Sequence, residues 1–437
     1  MDFGKKVFLK NRKCPYCGNN PVPHRLNWYH ESLNIWLTPL RQRLLYNAFT
    51  LFFKKNGWDQ KLSRIFLSLG EALKIIRRQK DISLCKVPRA KVLWQEAEKR
   101  GIKMEELLLF GRPFDAYIAS TKESRIKNQE SKKDKISNHK FKTIIFSGLP
   151  RPVGYSNNWL DLMDDKWIFK KLMIDNALPV PVGGSCSNFN QAKNIFSKIQ
   201  ECSVPIYGHP RPPMNRHATW PIITKPRSGS RGRHSTTFVS SDEDLKKAFK
   251  VAQQLCHWVV VEEQLFGPVY RATLVNFELC GVLRGDPPQV LGDGKSSVAG
   301  LIKQKNQAPH EGVENIKIDG GMELFLHRQN LNLSSVPPLG KLINLSEKIG
   351  VRYGGSSSED FEVCHADNKE LFVKAAKVLG DPIVGFDFII QDISKSWKEQ
   401  KCGFLEVNSL PFINLHHDPL LGKPRNVAAK VWDMVNF

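Results

Sequence analysis

The sequence predicts an α/β (α+β) protein in which short apolar strands alternate with amphipathic helices. Three observations carry that expectation. Apolar runs of strand length stand at Phe141–Phe146, Trp258–Leu265 and Gly385–Ile390. Helical periodicity fills the gaps, as in Ser240–Leu255, with a serine at its start and acids in its first turn, and in 367–379. A strand ending in Lys225-Pro226 opens directly into a glycine-containing loop. With 437 residues, 41% of them hydrophobic, two or three domains with substantial cores are expected.

The chain carries a formal charge of +22, unevenly spread. Residues 1–140 hold 30 Lys/Arg against 13 Asp/Glu. Such a block either solubilises the chain or draws a polyanion: nucleic acid, anionic lipid or an acidic polymer. No run of eighteen uncharged apolar residues occurs, so no membrane span is expected. The first ten residues lack the apolar centre of a signal peptide. Nine scattered cysteines suit reduced thiols in a cytoplasm better than a disulfide framework.

In chain order, Cys14-Pro15-Tyr16-Cys17-Gly18 opens like a zinc knuckle, and His24 and His30 follow. Four ligands make a structural zinc site, so Zn²⁺ at Cys14/Cys17 with these histidines is one reading and an ordinary turn with two thiols the other. Residues 33–80 read as basic amphipathic helices, with a second run at Leu62–Ile76. Such a stripe either packs into a bundle or lies on a membrane surface. Residues 88–120 form a compact α/β piece whose helix ends near Gly101. Residues 121–140 are charged and read as a linker; 203–220 are too rich in proline for a regular element and read as an inserted loop. Asp161–Ala177 reads as a helix, Leu274–Leu283 as a β-hairpin turning at Asn276 and Phe277, and RYGGSSSED (352–360) as a polar loop.

Two stretches carry chemistry. In the first, Gly229, Ser230 and Gly232 follow Lys225, and a glycine loop can turn its amides onto phosphate oxygens. In the second, Glu406 and Asn408 stand two apart in an apolar run, so both side chains share a strand face. If that strand pairs with the one carrying Asp387, three hard oxygen donors meet, a set that suits Mg²⁺, or Mn²⁺ in its place.

Taken together, these motifs resemble the ATP-grasp superfamily of ligases, and most closely the ATP-grasp domain of the cyanophycin synthetases and of the bifunctional glutathione-forming ligases. The resemblance covers about 155–437. It rests on Lys225-Pro226 with its glycine loop, Arg284-Gly285-Asp286-Pro287, Gly292-Asp293-Gly294, Gly385-Phe386-Asp387, Glu406-Val407-Asn408, Pro411, His416 and Gly422-Lys423-Pro424-Arg425-Asn426-Val427.

It implies an ATP-grasp fold, two α+β subdomains gripping the nucleotide, preceded by a basic, mostly helical N-terminal region at 1–140. Within 141–437 it implies an entry subdomain (141–220), a small lid (221–270) and a C-terminal metal-binding subdomain (271–437). It implies ATP with Mg²⁺ held by Asp387, Glu406 and Asn408. Lys166 and Lys225 would bind phosphates, as would the loop, with Lys170 a second common lysine. Glu262, Glu263, Gln264 and Leu265 would meet the purine, and Arg284 would steady the transferred phosphate. The implied activity is ADP-forming carboxylate–amine ligation on small-molecule or peptide substrates, with a polymeric anion served by the basic third and homo-oligomers common among relatives. The alternative is a catalytically weak binding protein on the same fold. The sequence departs from the family at Val269, where relatives carry a ribose-binding acid, and at Asn414, where cyanophycin synthetases carry arginine. Their second, Mur-ligase-like domain has no counterpart in these residues.

Overall fold

The computed structural model describes residues 14, 24, 28–33, 35–37, 58–122, 141–155, 163, 165–201, 220–229, 233–310 and 312–436. The readings made for 38–57, for the linker at 123–140 and for the proline-rich 203–219 lie outside them.

Residues 28–33 and 35–37 are helical, and the first element with described bounds is α1 (Trp58–Ala72), which ends before β1 (Ile76–Gln79). The run expected to stay helical to Ile76 therefore breaks four residues early. α2 (Pro88–Lys99) follows, with proline at its first turn, where its missing N–H costs nothing. β2 (Lys103–Leu109), β3 (Arg112–Lys122) and β4 (Phe141–Ser147) complete an antiparallel sheet in the order β1-β2-β3-β4. The boundary expected at 140/141 thus falls inside one sheet.

α3 (Lys166–Asp175) is capped by Asp165, whose side chain accepts from the Trp167 and Ile168 N–H groups. The sequence places this helix at Asp161–Ala177; the cap fixes its start at Lys166, five residues into that span. A second sheet, β5-β8-β6-β7, comprises β5 (Gly183–Cys186), β6 (Ile222–Pro226), β7 (Thr236–Val239) and β8 (Val259–Glu263). It packs on α4 (Phe189–Glu201) and α5 (Asp242–Gln253) around Phe196, Ile222, Phe249 and Val261. β5 lies before the expected lid boundary at 220/221 yet pairs with β8.

The third sheet has six strands in the order β15-β14-β9-β10-β13-β16. They are β9 (Val269–Val275), β10 (Glu278–Asp286), β13 (Ser356–Glu359), β14 (Ile383–Ile390), β15 (Cys402–Asn408) and β16 (Leu421–Gly422). Asn276 and Phe277 turn the β9–β10 hairpin, both with positive φ, as the sequence predicts. Part of the expected polar loop at 352–360 is β13 instead. Its serines bond outward, Ser356 Oγ to Asp286 Oδ2 at 2.8 Å and Ser358 Oγ to Asp360 Oδ1 at 2.5 Å. An apolar pattern is therefore not needed to hold it.

One face of this sheet buries Phe386, Phe388 and Phe404 against α3 and α8 (Ala366–Leu379). The other meets α9 (Asn414–His417) and α10 (Val427–Met434) and, through them, the N-terminal sheet. Trp432 of α10 stacks edge-on against Phe146, and its indole N–H donates to Leu93 O at 3.0 Å. Residues drawn from 82–119, 144–149 and 427–435 thus share one core. A small unit of β11 (Gln289–Leu291), β12 (Leu342–Asn344), α6 (Val298–Gln307) and α7 (Gly320–Arg328) has its own core around Leu301, Leu326 and Leu345. Among the described residues no helix is long and apolar enough to cross a membrane. The seven described cysteines are buried and unbridged.

Candidate functional site

Strand pairing brings the three expected oxygen donors together. Asp387 lies opposite Glu406, and Gly385 lies opposite Asn408. A bulge makes this possible. Phe404 pairs with Phe388 and Glu406 with Asp387, leaving Leu405 as the extra residue. Without it Phe404 and Glu406 would share a face. With it Phe404 stays in the core while Glu406 joins Asp387 on the other side.

Asp387 also lies opposite Arg271 of β9, which grips it bidentately, Nε to Oδ1 at 2.8 Å and Nη2 to Oδ2 at 2.9 Å. The sequence reading missed Arg271. The available signal was a lone charge in the apolar strand VYRATLV, in phase with Val269 and Thr273. Burial, reinforced by the Glu406 carboxylate, pushes Asp387 up to about 6 against the pull of Arg271. Burial opposes ionisation of Glu406 as well, but Lys166, Lys225 and Arg271 outweigh it and hold that carboxyl below its ordinary range. Two carboxylates forced together, one of them raised by burial and by its neighbour, form a set to which a divalent cation is complementary, so the residues present fit Mg²⁺.

Lys166 opens α3 and reaches Glu406 Oε2 at 3.5 Å. Its position is fixed from behind. Arg227, just past β6, forks onto the capping Asp165 with Nη2 to Oδ2 at 2.7 Å, and the Lys166 N–H donates to Arg227 O. This ties the start of α3 to the end of the second sheet. Lys225 forms an ion pair with Glu262 Oε1 at 2.5 Å, and Lys170 pairs with the same carboxylate while donating to Pro181 O at 3.0 Å. Glu262, expected beside a purine, is instead buried between two lysines. Burial lowers the pKa of Lys170, whereas the two lysines keep Glu262 ionised despite its burial.

The rest of the expected purine strand is engaged within the fold as well. The Glu263 carboxylate accepts from the Val182 N–H and pairs with Lys401 at 2.5 Å. The Gln264 N–H donates to Pro221 O, and its side-chain oxygen accepts from the Phe238 N–H. Leu265 is buried just beyond β8.

Gly229 has φ +71°, the left-handed backbone a phosphate-binding turn uses. Ser230 and Gly232 lie outside the described residues. Against Gly229 sits Glu31 of the N-terminal segment, whose Oε2 accepts from Ser228 Oγ at 2.5 Å. Arg284 is not brought to the acids. It pairs with Tyr270, one residue out of phase with Arg271 and Asp387, so it faces the opposite side of the sheet. Its ionic partners are Asp286 at 3.2 Å and Asp360 at 3.7 Å.

His416 is fully buried beneath the acid-bearing face. Its Nδ1–H donates to Glu359 Oε2 at 2.6 Å, Glu359 Oε1 accepts the Val282 N–H, and Nε2 meets Thr273 Oγ1 at 2.7 Å. The ring fits because Gly281 lies beneath it; a Cβ there would collide with the imidazole. Gly281→Ala should therefore cost about 1–3 kcal/mol through overpacking, read as a lowered melting temperature. The Arg425 of the tail motif is structural: it donates to Cys280 O at 2.6 Å and lies 3.6 Å over the Phe361 ring.

No family model matches the chain. It is 29% identical over 282 residues to the glutathione biosynthesis bifunctional protein of Clostridium perfringens, which covers 63% of this chain and 34% of that protein. It is 29% identical over 282 residues to the cyanophycin synthetase of a Nostoc strain, covering 63% and 29%. The chain thus spans about a third of the length of the curated relatives it matches. Among solved structures, a bifunctional glutathione synthetase from Pasteurella multocida superposes with a TM-score of 0.50 at 23% identity, over 79% of this chain and 43% of that one. In sequence over 63% of its length, and in fold over 79%, the chain resembles the ATP-grasp ligases.

Proposed function

We propose that the chain is an ATP-dependent ligase that joins a carboxylic acid to an amine, with an amino acid or peptide among its substrates. The observation that carries this reading is the pairing of Asp387 with Glu406, with Asn408 in phase and Lys166 reaching Glu406. Asp387, Glu406 and Asn408 would hold Mg²⁺ or Mn²⁺, whose charge would offset that of a bound triphosphate.

In this reading Lys166 and Lys225 supply fixed positive charge, and the Gly229 turn offers backbone amides to phosphate oxygens. The segment from Glu263 to Leu265 lines the purine. Arg271, which already holds Asp387, replaces Arg284 as the guanidinium next to the acids. The substrate carboxylate attacks the γ-phosphorus and ADP leaves. The amine then attacks the acyl carbon and phosphate leaves. Such transfer needs positioning and charge compensation more than a protein nucleophile.

The test is phosphate and ADP release from Mg-ATP across amino acids, dipeptides and acidic peptides. Release that needs both an acid and an amine is expected. A chain that binds Mg-ATP but turns over no pair would be a binding protein on this fold, the reading that Val269 favours. For that protein the basic N-terminal third would supply the affinity, and its binding to polyanions should fall steeply with salt.

A further inference from the structure

Far along the chain from the acids, three metal-binding side chains converge. Cys14 Sγ lies 3.6 Å from His234 Nε2, and His24 Nε2 lies 3.1 Å from the same nitrogen. All three donor atoms lie within 4.8 Å of one another. In a tetrahedral zinc site with ordinary bond lengths, neighbouring nitrogens sit about 3.3 Å apart and a nitrogen and a sulfur about 3.6 Å apart. The two separations to His234 match that arrangement, and the third lies within 4.8 Å.

The tautomer is also right. His234 Nδ1 is 2.9 Å from Val251 O, and a carbonyl only accepts, so Nδ1 carries the proton. Nε2 is then the nitrogen with the lone pair, directed at the cysteine and the other histidine. A ring N–H anchored on a backbone carbonyl is the usual way a ligating histidine is oriented. His234 is 2% exposed and Cys14 8%.

We infer that Cys14, His24 and His234 bind a zinc ion that fastens the N-terminal segment to the loop before β7. The ligand set differs from the sequence expectation. His30 is exposed and pairs with Glu31 at 3.2 Å, whereas His234 comes from 210 residues beyond His24. Mixed sulfur and imidazole donors select zinc over magnesium or calcium. Cys17, in C-x-x-C spacing with Cys14, lies outside the described residues, and the site is argued without it. Independent contacts dock the same segment on the same unit. Ser32 Oγ accepts from the His257 N–H at 3.2 Å, and Trp28 packs edge-on against the His257 ring.

The inference stands or falls independently of ligase activity, because its test reads metal alone. The full chain, purified without a metal-binding tag under reducing conditions, should carry about one equivalent of zinc. Cys14→Ser and His234→Ala should each lose nearly all of it, and His30→Ala should keep it. Since a His234 variant could misfold, X-ray absorption on the unaltered zinc protein provides a second reading: a first shell containing both sulfur and imidazole nitrogen. A wild-type chain that neither carries zinc nor takes up added zinc would overturn the site. So would full zinc in His234→Ala, or a first shell without sulfur.

Discussion

Glu406→Gln is expected to lower Mg-ATP-dependent ADP release by about 100-fold or more while leaving the protein folded. The substitution keeps the shape of the side chain and removes one negative charge from the pair with Asp387. Folding should survive because the lost interactions are of opposite sign. The ion pair to Lys166 weakens, but so does the repulsion that adds to burial in pushing Asp387 up to about 6. With that repulsion gone, burial still raises Asp387, but the pull of Arg271 on it is less opposed. Binding of the metal–nucleotide should then need more magnesium. ADP release measured across a magnesium titration, beside a melting curve, separates the two effects. Turnover equal to wild type in a folded Glu406→Gln protein would refute the metal assignment.

Glu262→Gln is expected to be the most damaging change for stability, at about 3–5 kcal/mol, because it removes the anion that two buried lysines share. Lys170 cannot reach solvent. It is 2% exposed and already donates to Pro181 O, so its ammonium would be left with neutral oxygens in place of the Glu262 carboxylate. The same change frees Lys225 at the end of β6. A lowered melting temperature, with faster amide exchange in β6 and β8, is the measurement. Lys170→Met in that background should recover part of the loss, because it removes the uncompensated charge. Wild-type melting of the single variant would mean that the triad contributes nothing to the fold.

The acids were legible because strand geometry needs only local spacing. Two residues apart on one strand means one face, and Glu406 and Asn408 obey this. Asp387 joined them on the assumption that its strand pairs with theirs, which β14 and β15 do. The serine cap of α5 and the Asn276-Phe277 hairpin were legible for the same reason. What could not be read were partnerships across long separations. Arg271 meets Asp387 116 residues away, and Lys170 meets Glu262 across 92. A charged residue in a motif reads as ligand-facing until its counter-ion is known, and this is how Glu262 came to be placed beside a purine. Arg284 was misplaced by parity: one residue of phase along β10 decides which side of the sheet it faces. The domain boundaries were hidden because the charged stretch at 121–140 looks like a divide between domains, yet β3 and β4 pair on either side of it.

Glu31 gives the glycine loop a resident counter-anion from the chain itself. Its carboxylate receives the Ser228 hydroxyl and lies against Gly229, where a phosphate oxygen would be received on the ligase reading. Nucleotide would then arrive by exchange, one anion leaving as another enters. The apparent affinity for ATP would include the work of lifting residues 28–33 from the loop, so whatever tightens the grip of that segment would make the loop a weaker binder of triphosphate.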